Sequence, residues 1–132
     1  MTNGARIAIV AGVAIAVIAV VAAKGGPREQ LSPPSETAAG LPTLVELGSL
    51  TCVPCKMMEE VLEELRSGYA DRLNVQFVNV HADPETAQAY GIRVIPTQVF
   101  LDAQGDEIYR HQGYFPTEHI LKAFSEHGVS LQ

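Results

Sequence analysis

Residues 44–67 read LVELGSLTCVPCKMMEEVLEELRS and predict a strand, a loop and a helix in immediate succession. Leu44–Leu47 is a short, mostly apolar run of the kind found in buried strands. After a short loop, apolar residues recur at helical spacing between charged ones, at Met58, Val61, Leu62 and Leu65. We expect this helix to run from about Cys52 to Ser67, with Gly68 as its stop.

The chain that follows alternates strands and helices. The predicted elements are a strand at Val75–Val80, a helix from Pro84 to about Tyr90, strands at Val99–Leu101 and Ile108–Gln112, and a helix from Pro116. A strand–helix–strand unit needs a crossover and hence a parallel pair, whereas the later hairpin is antiparallel. The order therefore predicts an α/β fold in which helices flank a mixed central sheet on both faces.

An unbroken apolar segment precedes this domain, at residues 7–23 (IAIVAGVAIAVIAVVAA). As a helix, these roughly 17 residues would span about 26 Å, the short end of what crosses a hydrocarbon core of about 30 Å. Both a retained transmembrane anchor and a cleaved signal fit, and the length favours the anchor. The very short tail before it favours a domain outside the cytoplasm, which would be secreted if residues 1–23 were cleaved.

A linker rich in Pro and Gly connects the two parts. It contains Gly25, Gly26, Pro27, Pro33 and Pro34 and has no apolar periodicity. The predicted organisation is a tail at 1–6, an anchor or signal at 7–23, a linker at 24–40 and a globular domain at 41–132.

Composition excludes several function classes. The formal net charge is −6, Trp is absent and aromatic residues make up 6% of the chain, which argues against nucleic acid as a partner. Two cysteines are too few for a disulfide scaffold or a four-thiolate metal site. We therefore expect no bound metal, and we expect the two cysteines to act on each other.

Cys52 and Cys55 are placed for thiol–disulfide exchange. Cys52 lies where the loop meets the helix, and there the unpaired N–H groups and the helix dipole favour a thiolate. Cys55 lies one turn further, on the same side. Cys52 would attack a partner disulfide, and Cys55 would then attack Cys52 and release the reduced partner. Pro54 suits the first turn of a helix, where its missing N–H costs nothing.

From about Leu41 to Phe124 the chain resembles the thioredoxin family. The resemblance is carried by residues 52–57 (CVPCKM), residues 90–97 (YGIRVIPT) and Gly113. It implies a thioredoxin-like fold and a protein-disulfide reductase with no cofactor beyond the redox-active Cys52–Cys55 disulfide. It also implies a cis peptide bond before Pro96, which would pack against the cysteines and keep metal from the thiols. Partner-binding positions by the same resemblance are Thr51, Val53, Pro54, Ile95 and Pro96.

Glu46 interrupts the first apolar strand six positions before Cys52. The family commonly has a buried Asp there, which accepts a proton from the second cysteine. If Glu46 is buried without a cation, its pKa should be raised, as suits proton exchange with a thiol. The alternative is an edge-strand glutamate that points to solvent.

Three positions depart from the family pattern. Thr51 replaces a usual Trp, Val53 a usual Gly, and Phe77 a Lys often found near the buried acid. These departures favour a specialised extracytoplasmic relative, in the bacterial periplasm or at the cell surface. Its partners would be protein disulfides and a membrane electron donor of the DsbD or CcdA type.

Two other functions stay open. One is a disulfide-donating oxidase of the same fold, since direction depends on the reduction potential of Cys52–Cys55. The other is a metal carrier that uses the two thiols, which titration of the reduced protein with Cu(I) or Zn(II) would reveal.

Overall fold

The computed structural model describes residues 40–131. The predicted tail at 1–6, the apolar segment at 7–23 and the linker up to residue 39 lie outside the described residues, so their assignments stay predictions. Within 40–131, no helix is both long enough and apolar enough to cross a membrane.

The order of elements is the predicted one. It runs β1 (Thr43–Gly48), α1 (Val53–Tyr69), β2 (Asn74–Asn79), α2 (Pro84–Ala89), β3 (Thr97–Leu101), β4 (Glu107–Gln112) and α3 (Thr117–Glu126). The predicted end of α1 is wrong, whereas its start is within one residue of the predicted position. Cys52 has an extended backbone and precedes the helix as its N-cap, and the helix continues through Gly68 to Tyr69.

The described strands form one mixed sheet in the order β2-β1-β3-β4. β1 pairs parallel with β2 and antiparallel with β3, and β3 pairs antiparallel with β4. β1 is therefore an inner strand, and all six of its residues are buried. This burial on both faces explains why the strand reads as an apolar run instead of an alternating one.

Helices cover both faces of the sheet, as predicted. On one face, Leu44 and Phe100 pack with buried residues of α1 and α3, including Met58 and Phe124. On the other face, Val45 and Val99 pack with Ala87 of α2. Residues that alternate along β1 thus enter different cores.

One edge of the sheet gathers the segments that carry the motifs. β1 ends at Gly48, and because β3 runs antiparallel to it, β3 begins beside that end, with Thr97 opposite Leu47. β4 in turn ends beside the start of β3, with Gln112 opposite Thr97. The cysteine loop, the segment before Thr97 and the segment after Gln112 therefore leave the sheet at the same edge.

Candidate active site

Cys52 and Cys55 are joined in a disulfide, with their Cα atoms 5.2 Å apart. Cys52 caps α1, and its Sγ accepts a hydrogen bond from the Cys55 backbone N–H at 3.4 Å. Cys52 is half-buried, whereas Cys55 is only 3% exposed. The two sulfurs therefore differ in access, and Cys52 is the one that a partner can reach.

The loop before Cys52 is held by its own polar groups. The Cys52 N–H donates to the Ser49 carbonyl at 3.3 Å, and the Lys56 N–H donates to the Cys52 carbonyl at 3.0 Å. The hydroxyls of Ser49 and Thr51 are hydrogen-bonded at 3.0 Å. Thr51 is exposed, so it lies at the surface beside Cys52.

Gly48 brings the end of β1 close to the inner cysteine. A Cβ atom at residue 48 would lie 3.3 Å from Cys55 Sγ and 3.2 Å from the ring of Phe77. Contacts of that length are tighter than side chains normally make, so a residue without a Cβ lets Cys55 sit against the strand. Cys55 thus lies over the face of β1 to which Gly48 and, two residues earlier, Glu46 belong.

Glu46 is fully buried, at 0% exposure. The edge-strand alternative is wrong, because β1 has a neighbouring strand on each side. Burial raises the pKa of Glu46 to about 8, and a hydrogen bond from Gln98 opposes that rise. Phe77, which stands where the family often has Lys, is directly opposite Glu46 on β2.

Ile95–Pro96 is a cis peptide bond, as the resemblance implies. Pro96 is buried and Ile95 is half-buried, immediately before β3. The Gly113 N–H donates to the Pro96 carbonyl at 2.8 Å, which ties the end of β4 to this segment. The backbone at residues 94–96 therefore lies at the same edge of the sheet as the cysteine loop.

Large exposed apolar side chains gather at this edge. Val53, at 73% exposure, follows Cys52 directly. Met57 and Tyr114 line one groove, which joins α1 to the segment after β4. We call the group the apolar rim, and it consists of Leu50, Val53, Met57, Val94 and Tyr114. Of these, only Val53 was a predicted partner-binding position. The others come from segments far apart in the chain, and their shared edge follows only from the strand order.

Gln98 was also missed. It is buried at 0% exposure, and its Nε2 donates to Glu46 Oε2 at 2.9 Å. Gln98 is two residues before Phe100, so the alternation of a strand places it on the core face. The sequence feature that could have indicated Gln98 is a polar residue at a core-facing position of a strand.

The described residues hold no group of three or more His, Cys, Asp or Glu side chains that could bind a metal ion.

The predicted site residues fall into two sets. Cys52, Thr51, Val53 and Pro54 are at the accessible end of the site, whereas Cys55, Glu46 and Pro96 are in the interior.

Comparison with known proteins gives the same family by two routes. Residues 36–128 match the family model described as a thioredoxin-like domain. The chain is 38% identical over 79 residues to a thioredoxin of Alicyclobacillus acidocaldarius, covering 60% of this chain and 74% of that protein. It is 33% identical over 93 residues to a thioredoxin of Bacillus subtilis, covering 70% and 88% respectively.

Solved structures share the fold. The crystal structure of chloroplastic thioredoxin z superimposes with a TM-score of 0.61 at 20% identity, covering 67% of this chain and 79% of that one. A malarial protein gives a TM-score of 0.63 at 16% identity, covering 67% of this chain and 99% of that one.

Proposed function

The chain belongs to the thioredoxin-like family and is a thiol–disulfide oxidoreductase, and we propose that it reduces protein disulfides outside the cytoplasm. The unequal access of the two sulfurs supports the exchange with a protein disulfide most directly. The half-buried Cys52 is accessible to a partner disulfide, whereas the buried Cys55 is placed to react with Cys52.

The exchange begins with the reduced dithiol. Cys52 thiolate attacks one sulfur of the partner disulfide, a mixed disulfide forms, and the other partner sulfur leaves as a thiolate. In molecules in which Glu46 is ionised, Cys55 then loses its proton to that carboxylate and attacks Cys52 Sγ, which breaks the mixed disulfide. The partner gains two electrons, and Cys52–Cys55 becomes the disulfide.

The helix start serves the first step. At the N-terminus of α1, backbone N–H groups have no partner within the helix, and the helix dipole favours negative charge. One of those groups, the Cys55 N–H, already points at Cys52 Sγ. The same arrangement would stabilise Cys52 when it leaves as a thiolate in the reverse reaction.

The apolar rim favours a protein as the substrate. Its side chains are exposed at the edge of the sheet where Cys52 is accessible, and they would be buried against the partner. Ile95, which is half-buried, lies at the same edge, and the family resemblance implies that its backbone would pair with a partner peptide. Thr51, Val53 and Pro54 complete this proposed contact surface.

The apolar run at residues 7–23 supports a membrane anchor with the domain on the extracytoplasmic side. Because the run is followed by a Pro- and Gly-rich linker, the domain would meet partners near the membrane surface. A reductase in that position needs electrons from across the membrane, which a transporter of the DsbD or CcdA type would supply.

Trapping of the mixed disulfide tests the mechanism. We expect Cys55→Ser to accumulate a covalent complex with a protein disulfide substrate, visible as a reducible higher-mass species, because no thiol remains to resolve it. Cys52→Ser is the matched control and should form no such complex. Full turnover by Cys55→Ser would contradict the assignment of Cys55 as the resolving thiol.

The reduction potential of Cys52–Cys55 tests the direction. A potential close to those of reducing dithiols, about −270 mV, would support a reductase, whereas one near −120 mV would indicate a disulfide donor. The difference is large compared with the roughly 30 mV that corresponds to a tenfold change in the equilibrium constant.

A further inference from the structure

Gln98 is the one hydrogen-bonding partner that the described residues give to the Glu46 carboxyl. The two residues are directly opposite each other on β1 and β3, and both are 0% exposed. Their contact, Gln98 Nε2 to Glu46 Oε2, measures 2.9 Å. The amide is thus held against the carboxyl by the register of the sheet.

The surroundings of Glu46 are otherwise poor in charge. β2 places Phe77 opposite it, and the charged side chains of α1 and α3 are exposed, on the outer faces of those helices. The titratable groups on the same face of the sheet are Cys55, above Gly48, and His111 and Tyr109 on β4. His111 is opposite Gln98, with its ring stacked on Phe115 at 3.8 Å, so Gln98 separates it from Glu46.

A hydrogen-bond donor at this point has a defined effect on the acid. An N–H that donates to a carboxyl oxygen stabilises the ionised form more than the neutral form, so it lowers the pKa that burial raises. Gln98 does so without bringing a second charge into the core, where an unpaired charge is costly. The other oxygen, Glu46 Oε1, has no partner among the described residues and is free to take or release a proton.

We propose that Gln98 is a positioning residue, which orients the Glu46 carboxyl and sets the pH at which it exchanges a proton. The amide of Gln98 thereby stabilises the ionised carboxylate, as a buried cation beside this acid would. The inference rests on the proposed function for its consequence, proton transfer from Cys55, but the coupling between Gln98 and Glu46 can be measured without turnover.

Infrared titration of the oxidised full chain tests the coupling. In that state both cysteines are in the disulfide, and the band of the protonated Glu46 carboxyl is identified by its loss in Glu46→Gln. We expect Gln98→Leu, which keeps similar volume but has no donor, to raise the midpoint of this band by about one to two pH units. The band itself should shift in frequency, because its carbonyl loses a hydrogen bond.

Val99→Ala is the matched control. Val99 is the next residue of β3 but faces the opposite core, so this variant loses packing and should leave the midpoint unchanged. Gln98→Met provides a second variant without a donor, in case Gln98→Leu does not fold. A midpoint in either Gln98 variant equal to that of the unmodified chain would overturn the proposal.

Kinetics separate this inference from the proposed function. If Glu46 accepts the Cys55 proton, the rate at which Cys55 resolves the mixed disulfide at neutral pH should fall by up to about tenfold for each pH unit by which the midpoint rises, because fewer molecules hold an ionised Glu46. If Glu46→Gln resolves as fast as the unmodified chain, Glu46 is not the proton acceptor and that part of the proposed function fails. The infrared result then still decides whether Gln98 controls the acid.

Discussion

Glu46 lies in the middle of an inner strand, where burial favours the neutral acid. Its pKa of about 8 is far above the ordinary value of 4.5, and the largest cause is the loss of water around the carboxyl. A carboxyl that titrates in this range is closer in pKa to a thiol than an ordinary glutamate is, which suits the proton exchange proposed between Glu46 and Cys55. The same residue carries a cost in stability that depends on pH.

We expect the oxidised protein to lose stability between pH 5 and pH 8, and Glu46→Gln to lose much less. In the unfolded chain Glu46 ionises near pH 4.5, whereas in the folded chain it holds its proton up to about pH 8. The folded state therefore binds more protons over this interval, and the stability contributed by the neutral acid is lost as pH rises through it. The expected loss is on the order of 4 kcal/mol.

Urea unfolding at pH 5, 6.5 and 8 measures this difference. Glu46→Gln is close in shape and has no carboxyl proton to lose, so it is the reference for the unmodified protein at each pH. Parallel stability curves for the two proteins would contradict burial of a neutral Glu46.

At the scale of elements, the junction of β1 and α1 determines how the cysteines are presented. β1 approaches Cys55 through Gly48, and α1 begins immediately after Cys52. Met58 of α1 also accepts a hydrogen bond from the Phe115 N–H at 3.3 Å, which links the helix to the segment before α3. The position of Cys55 therefore depends on close packing of the helix on the strand.

We expect Gly48→Ala to lower the free energy of unfolding by about 1–2 kcal/mol, because the added methyl group crowds Cys55 and Phe77. Gly68→Ala is the matched control, because nothing lies within 4 Å of a Cβ there and the residue is in α1. It should instead raise stability by up to about 1 kcal/mol, since Ala favours a helix over Gly. Denaturant unfolding of both variants checks the pair, and equal effects would contradict the close approach at Gly48.

At the scale of the molecule, one edge of the sheet carries both the accessible sulfur and the apolar rim. We expect Leu50→Ser and Val94→Ser each to lower kcat/KM for a protein disulfide about tenfold, because each removes apolar surface that the partner would bury. Reduction of a small disulfide should be unchanged, because it does not span the rim. Ala103→Ser, in the exposed turn between β3 and β4, is the control and should leave kcat/KM unchanged. If the Leu50 and Val94 variants lost kcat/KM equally with the protein disulfide and the small disulfide, the rim would not be a docking surface.

A chain that lacks residues 1–23 should stay soluble without detergent and keep its redox activity. The buried clusters on both faces of the sheet are formed by residues between 44 and 131, so the domain's core does not depend on the removed segment. Thermal unfolding and protein-disulfide reduction by the shortened chain test this. Insolubility or loss of the folded state would contradict the division into anchor, linker and domain.

Much of the fold could be predicted from local patterns. Local patterns close together in the chain predicted the apolar strand at Leu44–Leu47, the helix with its spacing from Met58 to Leu65 and the hairpin strands at 99–101 and 108–112. The order of these elements predicted the mixed sheet. The end of α1 was misplaced because Gly68 is tolerated within a helix that Leu65 and Tyr69 anchor to the core. The pairing of Cys52 with Cys55 could be predicted for the same reason. Two cysteines three residues apart at the start of a helix lie on the same side of that helix.

Contacts between distant segments could be read only from the tertiary structure. That Glu46 faces the core and not solvent follows from β1 lying between β2 and β3, which no local pattern determines. Its contact with Gln98, 52 residues away, depends on the register of two strands, and a shift of one residue would turn Gln98 to the other face. Local chemistry in the chain thus identifies the paired thiols, whereas strand order and register decide which side chain lies beside the Glu46 carboxyl and which apolar residues share an edge of the sheet with Cys52.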